Sequence, residues 1–136
     1  MQKYVRNEQI SVVSVEHDDC WARDTCPTFV INQATNEVAG VDWTFNGYSN
    51  KFPHEKDAKL ARSILAMQGM KRFACPLILE GGSIHSDGEG SLLTTEECLL
   101  KRNPLLTKSD IELQVCFASS TASFIISTGN CSSNYS

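Results

Sequence analysis

Short apolar and β-branched segments recur along the chain between turn residues, and this pattern limits the possible folds more than any other feature of the sequence. Between residues 55 and 70 the pattern changes to apolar side chains at three- and four-residue spacing, which predicts a helix. A second helix is expected to begin at Thr107, whose hydroxyl can cap the first turn. The order of elements predicts an α/β fold, with strands at residues 10–15, 27–32, 38–45, 73–79, 83–86 and 91–95.

The order of strands followed by a helix begins a second time at Phe73, which suggests repeated units of one type. The first two strands of a unit are close enough in sequence to form a hairpin, because only residues 33–37 separate them. In the second unit the segment 87–90 contains two glycines and is typical of a tight hairpin turn.

Charge and composition exclude several classes of protein. The chain has 136 residues, and 12 Lys and Arg against 16 Asp and Glu give a formal net charge of −4, which argues against a nucleic-acid partner. Its apolar runs are far shorter than the roughly 20 residues of a membrane span, so no membrane association is expected. The first ten residues do not resemble a secretory signal, and we therefore expect a cytoplasmic protein with reduced thiols. Six cysteines without a Cys-x-x-Cys pair predict no metal site, and no cofactor is expected.

Two clusters of polar residues follow predicted strands. Trp21 and Asp24 lie in the first, and Glu80, His85 and Asp87 lie in the second beside a pair of glycines. His85 and Asp87 are two residues apart and would point to the same side of an extended chain. An indole, an imidazole and several carboxylates suit a planar cation such as a guanidinium, whose N–H groups bind carboxylates in pairs. Taken singly, each of these residues also has an ordinary structural explanation, as a rim aromatic, a surface ion pair or a strand histidine.

A metal site is the alternative for the second cluster. His85 and Asp87 could begin an iron site with two histidines and one carboxylate. The other histidines of the chain, His17 and His54, both precede this pair, which disfavours that pattern. Iron bound to the isolated protein would support this alternative.

Longer strings around these residues closely resemble agmatine deiminases, of the peptidylarginine deiminase-like family in the guanidino-group-modifying superfamily. The resemblance is carried by residues 21–25, 40–46, 80–85, 87–90, 93–100 and 102–104. It implies the pentein fold, a five-bladed α/β propeller, of which this chain would form about two blades. Residues 1–112 would be a partial catalytic domain. Residues 113–136 are uncharged and rich in serine, and we expect a divergent, disordered tail and a truncated chain.

The resemblance also implies a reaction and a set of roles. Asp24 and Asp87 would grip the guanidinium, His85 would act as general acid and base, and Trp21 and Glu80 would line the pocket. A cysteine thiolate of the family attacks the guanidinium carbon of agmatine, and the products are N-carbamoylputrescine and ammonia, as in polyamine synthesis.

Three departures from the family pattern limit this expectation. The Gly-Gly-Asn-Ile-His-Cys type of string that holds the nucleophile has no match, so neither Cys116 nor Cys131 is assigned that role. Cys26 replaces a glycine, and residues 47–50 differ from the usual Ala-Trp-Gly-Gly. We therefore expect little or no activity from this chain alone, with exposed strand edges that favour association between copies. The alternative is a non-catalytic fragment that binds guanidines or a protein partner.

Overall fold

Two small sheets of the same topology make up the described part of the chain. The computed structural model describes the backbone of residues 12–119 and 123–127 and the side chains of residues 12–116. A single helical turn, α1 (Ala22–Thr25), precedes the first sheet. No helix in these described residues is long and apolar enough to cross a membrane.

The first sheet has the strand order β1-β2-β3 and one helical crossover. It consists of β1 (Thr28–Ile31), β2 (Val38–Thr44), α2 (Leu60–Met67) and β3 (Lys71–Ile78). The predicted hairpin is confirmed, because β1 and β2 are antiparallel, and α2 then returns the chain so that β3 runs parallel to β2.

The predicted helix is confirmed in the middle of its range. A 3-10 turn, Asp57–Lys59, leads into α2, and Gly69 follows the helix with φ +63°, a backbone conformation that glycine adopts without strain. Leu65 lies directly over Gly40 of β2, where any Cβ would collide with the leucine side chain. The helix therefore packs close to the sheet because this strand position has no side chain.

The second sheet repeats the arrangement of the first. A hairpin is followed by two helices and a parallel strand: β4 (Ile84–Ser86), β5 (Ser91–Thr95), α3 (Glu96–Arg102), α4 (Lys108–Ser119) and β6 (Ser123–Ser127). β4 and β5 are antiparallel, and β6 is parallel to β5. The repeated unit is confirmed, but it begins at Ile84 and not at Phe73, since the strand that contains Phe73 pairs with β2 and completes the first sheet.

One apolar cluster joins the two sheets and the last helix. Its buried members are Val41, Trp43, Cys75, Leu77, Leu79, Leu92, Leu99, Ile111 and Val115. The indole N–H of Trp43 donates to the Thr28 hydroxyl at 2.8 Å, so the polar edge of this buried ring has a partner. The two units therefore share a core, which fixes the loops of one against the loops of the other.

Two expectations for the ends of the chain were wrong. Residues 12–15 form no strand and Val12 is 71% exposed, because no described strand pairs with this segment; residues 10 and 11 lie outside the described part. At the other end the disordered tail was expected from residue 113, whereas α4 continues to Ser119 and β6 follows it. Buried Ile111 and Val115 hold the helix against the core. The other residues of the tail lie outside the described part.

The helix α3 was missed by the sequence analysis. Its seven residues have acidic side chains in the first turn, Glu96 and Glu97, and basic ones in the last, Lys101 and Arg102. This charge arrangement complements the helix dipole, and it is the sequence signal from which the helix could have been predicted.

Candidate functional site

The two polar clusters of the sequence meet where α1 contacts the turn after β3. Asp24 lies in α1, and its Oδ1 accepts the backbone N–H of Gly82 at 2.8 Å. A Cβ on Gly81 would meet the carbonyl oxygen of Arg23, and one on Gly82 would meet Oδ1 of Asp24. The glycine pair therefore allows a close approach that no other residue would permit.

The second oxygen of Asp24 is held from another direction. The Tyr48 hydroxyl donates to Oδ2 at 2.6 Å. Tyr48 lies in a turn, residues 47–50, that follows β2. Burial raises the pKa of the Tyr48 phenol, and the hydrogen bond to Asp24 and the negative charge of that carboxylate raise it further. The raised pKa keeps the phenol protonated, so it remains a hydrogen-bond donor to the carboxylate.

Glu80 is buried and already has a cationic partner. Its Oε1 accepts Nε of Arg102 at 2.6 Å, and only 5% of the glutamate is exposed. The same guanidinium donates through a terminal nitrogen to the Ser49 hydroxyl at 3.2 Å. Glu80 therefore reaches the 47–50 turn through Arg102, and its charge is balanced within the protein.

Asp87 has a different environment from the one that strand alternation predicted. β4 ends at Ser86, so Asp87 lies in the hairpin turn. Its Oδ1 accepts the backbone N–H of Glu89 at 2.8 Å and that of Ser91 at 2.9 Å. These bonds, chiefly the one from Ser91, lower the pKa of the carboxyl.

The two aspartates therefore differ in the acceptor capacity that they have left. A carboxylate offers about four acceptor sites, two on each oxygen. Among the described residues, one donor bonds to each oxygen of Asp24, so each oxygen keeps one open site. A guanidinium that binds through two N–H groups needs this arrangement. Asp87 uses two sites on Oδ1, so Oδ2 is its available oxygen. Asp24 is the better acceptor for a guanidinium fork.

The structure places His85 at a cavity and the indole of Trp21 beside another acid, Asp19. His85 lies in β4 and lines a cavity of about 390 Å³ together with Arg23, Cys26 and Phe29, and the cavity lining contains no acidic side chain. Trp21 is 55% exposed and donates its indole N–H to Asp19 at 3.0 Å. No hydrogen bond or ion pair in the described part joins His85 to Asp24, Glu80 or Asp87.

Neither thiol whose environment shifts its pKa is an activated nucleophile. Burial raises the pKa of Cys26 and of Cys75, the opposite of what thiolate chemistry needs. Cys131 lies outside the described residues. The described residues contain no group of three or more His, Cys, Asp and Glu that could hold a metal, so the iron alternative has no third ligand there.

Solved structures of deiminases share this fold. The agmatine deiminase of Enterococcus faecalis, in a structure described as catalysing its reaction, matches with a TM-score of 0.80 and 38% identity over 88% of this chain and 35% of that chain. A cysteine-to-serine variant of C. jejuni agmatine deiminase with substrate bound matches with a TM-score of 0.79 and 28% identity over 92% of this chain and 37% of that chain. The fold is therefore part of the pentein α/β propeller, as expected.

The sequence comparisons define the family. The model of the Porphyromonas-type peptidyl-arginine deiminases matches residues 1–130, and the chain belongs to this family. A protein of Shewanella sp. (strain W3-18-1), provisionally named agmatine deiminase, is 49% identical over 117 residues, which are 81% of this chain and 31% of that protein. The chain thus spans about a third of the length of the curated relatives that it matches. The family match also continues past residue 112, the expected end of the domain.

Proposed function

We propose that this chain provides the guanidinium-binding part of an agmatine deiminase, a hydrolase that converts agmatine and water into N-carbamoylputrescine and ammonia. The observation that carries the proposal is the state of Asp24. Both of its oxygens are oriented by neutral donors, Tyr48 and the Gly82 amide, and no ion pair among the described residues includes this carboxylate. A carboxylate that is fixed in place and lacks a counter-ion favours binding of a cation.

The remaining residues take unequal parts in this proposal. Asp24 accepts the fork of the substrate guanidinium, and Asp87 contributes a single contact through Oδ2. Trp21 and Glu80 would line the pocket around the bound guanidinium, with Glu80 acting through its ion pair with Arg102. His85 is the proposed general acid and base, and it would protonate the departing ammonia and then activate water.

The attacking thiolate is not assigned to any cysteine of this chain. The reaction needs a sulfur that adds to the guanidinium carbon, expels ammonia and is displaced by water. Burial favours the protonated thiol at Cys26 and Cys75. We therefore propose that these 136 residues bind agmatine and do not turn it over by themselves.

Two measurements on the purified chain test this function. Calorimetric titration with agmatine should show saturable binding, whereas putrescine, which has an amine in place of the guanidinium, should bind at least tenfold more weakly. A discontinuous assay for N-carbamoylputrescine should show no product above a blank without protein. Equal affinity for the two amines would refute the guanidinium site, and steady product formation would refute the assignment of the chain as non-catalytic by itself.

A second candidate is a fragment that associates with other chains. It is favoured by apolar side chains on the first sheet that are each at least 40% exposed, namely Phe29, Ile31, Val38 and Phe73. In this case the chain would form homo-oligomers or pair with a longer family member. Sedimentation velocity over a hundredfold range of concentration would show such association, and a monomer throughout would exclude self-association. We also propose that the protein is located in the cytoplasm.

A further inference from the structure

The turn at residues 47–50 has an unusual backbone. All four residues have positive φ angles: Gly47 +59°, Tyr48 +58°, Ser49 +69° and Asn50 +60°. At Gly47 a Cβ would collide with the carbonyl oxygen of Phe52 and the ring of His54, so this position requires glycine. Left-handed backbone at Tyr48 and Ser49 is unfavourable for L-residues and persists where the surrounding structure holds it in place.

This left-handed turn contacts Asp24 directly and reaches Glu80 through Arg102. Tyr48 donates to Asp24, and Ser49 accepts a hydrogen bond from Arg102, the partner of Glu80. The turn itself is closed by Asn46, whose side chain accepts the Ser49 N–H at 3.0 Å. Adjacent side chains of this turn therefore bond to Asp24 and to the cationic partner of Glu80.

We propose that Tyr48 is a positioning residue for Asp24: its hydroxyl fixes Oδ2 so that the carboxylate presents one open acceptor site on each oxygen to a guanidinium. This inference rests on the proposed function, since it names a residue that prepares the same site. Tyr48 acts through Asp24 and needs no contact with the substrate. Gly82 holds only the other oxygen, Oδ1, so loss of the Tyr48 hydroxyl would leave Oδ2 without this donor and the carboxylate freer to rotate.

Tyr48 also has a packing role that must be separated from this one. Its ring makes edge-to-face contacts with Phe45 at 5.3 Å and with Phe52 at 6.1 Å between centroids. The variant Tyr48→Phe keeps the ring and removes the hydroxyl, so it isolates the positioning role. Thr35→Val is a matched control, because it removes a hydroxyl that donates to the Glu37 carboxylate in the distant β1–β2 hairpin.

The first experiment compares agmatine affinities by calorimetric titration. We expect Tyr48→Phe to weaken binding by roughly three- to tenfold, the effect of one hydrogen bond, and Thr35→Val to bind like the wild type. A folded Tyr48→Phe variant that binds agmatine like the wild type would overturn the proposal. Its fold is checked by its denaturation midpoint.

The second experiment tests the contact without any ligand. The ¹³Cζ chemical shift of Tyr48 is measured at pH 7 by NMR of ¹³C-labelled tyrosine, and its signal is identified by its loss in Tyr48→Phe. In Asp24→Asn this chemical shift should change, because the charged acceptor of the Tyr48 hydroxyl is gone. An unchanged chemical shift would overturn the proposal even if agmatine binds. If the wild type binds no agmatine, the proposed function fails, and this measurement alone decides whether Tyr48 holds Asp24.

Discussion

The ion pair between Glu80 and Arg102 allows a quantitative test of how the site is built. The variant Arg102→Met removes the guanidinium and keeps a side chain of similar length. Glu80 would then be left as an unpaired carboxylate. Its side chain is 7% exposed, and the side chain of Arg102 is 23% exposed. Removing one partner of a buried pair costs about 3–5 kcal/mol, and water can reach this one from the arginine side. We therefore expect a loss of about 3 kcal/mol in the free energy of unfolding.

Urea denaturation at pH 7, followed by tryptophan fluorescence, measures this loss. The neighbouring variant Lys101→Met is the matched control, because its ion pair with Glu97 is largely exposed and should contribute less than about 0.5 kcal/mol. The double variant Glu80→Gln, Arg102→Met removes the stranded charge and should recover about half of the lost stability. A cost below about 1 kcal/mol for Arg102→Met, or a double variant no more stable than the single one, would refute this reasoning.

Two further predictions concern the elements that support the site. Asn103 accepts the Ile78 N–H and donates to the Ile78 and Leu99 carbonyls. Asn103→Ala should therefore lower the free energy of unfolding, measured by urea denaturation, by about 2–4 kcal/mol. A loss below about 1 kcal/mol would contradict this prediction. Bonds from Thr107 lower the pKa of Asp110 at the start of α4, so its stabilisation is present above the ordinary value of about 3.9 and is lost as the pH falls through the lowered value. In thermal unfolding from pH 6 to pH 2, the gap between wild type and Asp110→Asn should therefore close at low pH, and a constant gap would contradict the assignment.

The elements that the sequence predicted correctly are those whose signal is local. The β1–β2 hairpin follows from two apolar segments and a short connection, and α2 follows from its period and from Gly69 at its end. The capping of α4 by Thr107 is also local, since the Asp110 N–H donates to that hydroxyl at 3.2 Å.

The errors have non-local causes. Residues 12–15 have strand composition, but a strand also needs a neighbour that the local sequence does not reveal. Assigning β3 to the first sheet required knowledge of its parallel pairing with β2 across a helix. The ordered residues beyond 112 are held by contacts of Ile111 and Val115 with a core formed from both sheets.

The candidate site was predictable in composition and only partly in geometry. The glycine pair and Asp24 were identified, and the structure explains their proximity by the contact between Gly82 and the carboxylate. Tyr48 and Arg102 were missed as site residues, because their roles depend on a left-handed turn and on side chains distant in sequence. Asp87 was expected to share the face of His85; β4 ends one residue before it, at Ser86, and the shared face stays a prediction.

Agmatine titrations of two single-charge variants, Asp24→Asn and Asp87→Asn, test the central claim most directly. Both changes remove one carboxylate charge and keep a side-chain oxygen, so they differ in position alone. Among the described residues Asp24 has an open site on each oxygen and no cationic partner, whereas Oδ1 of Asp87 is used by its own turn. We predict at least a tenfold loss of affinity for Asp24→Asn and at most about a threefold loss for Asp87→Asn. A loss of affinity for Asp87→Asn that exceeds the loss for Asp24→Asn would contradict the account, and so would unchanged binding by Asp24→Asn.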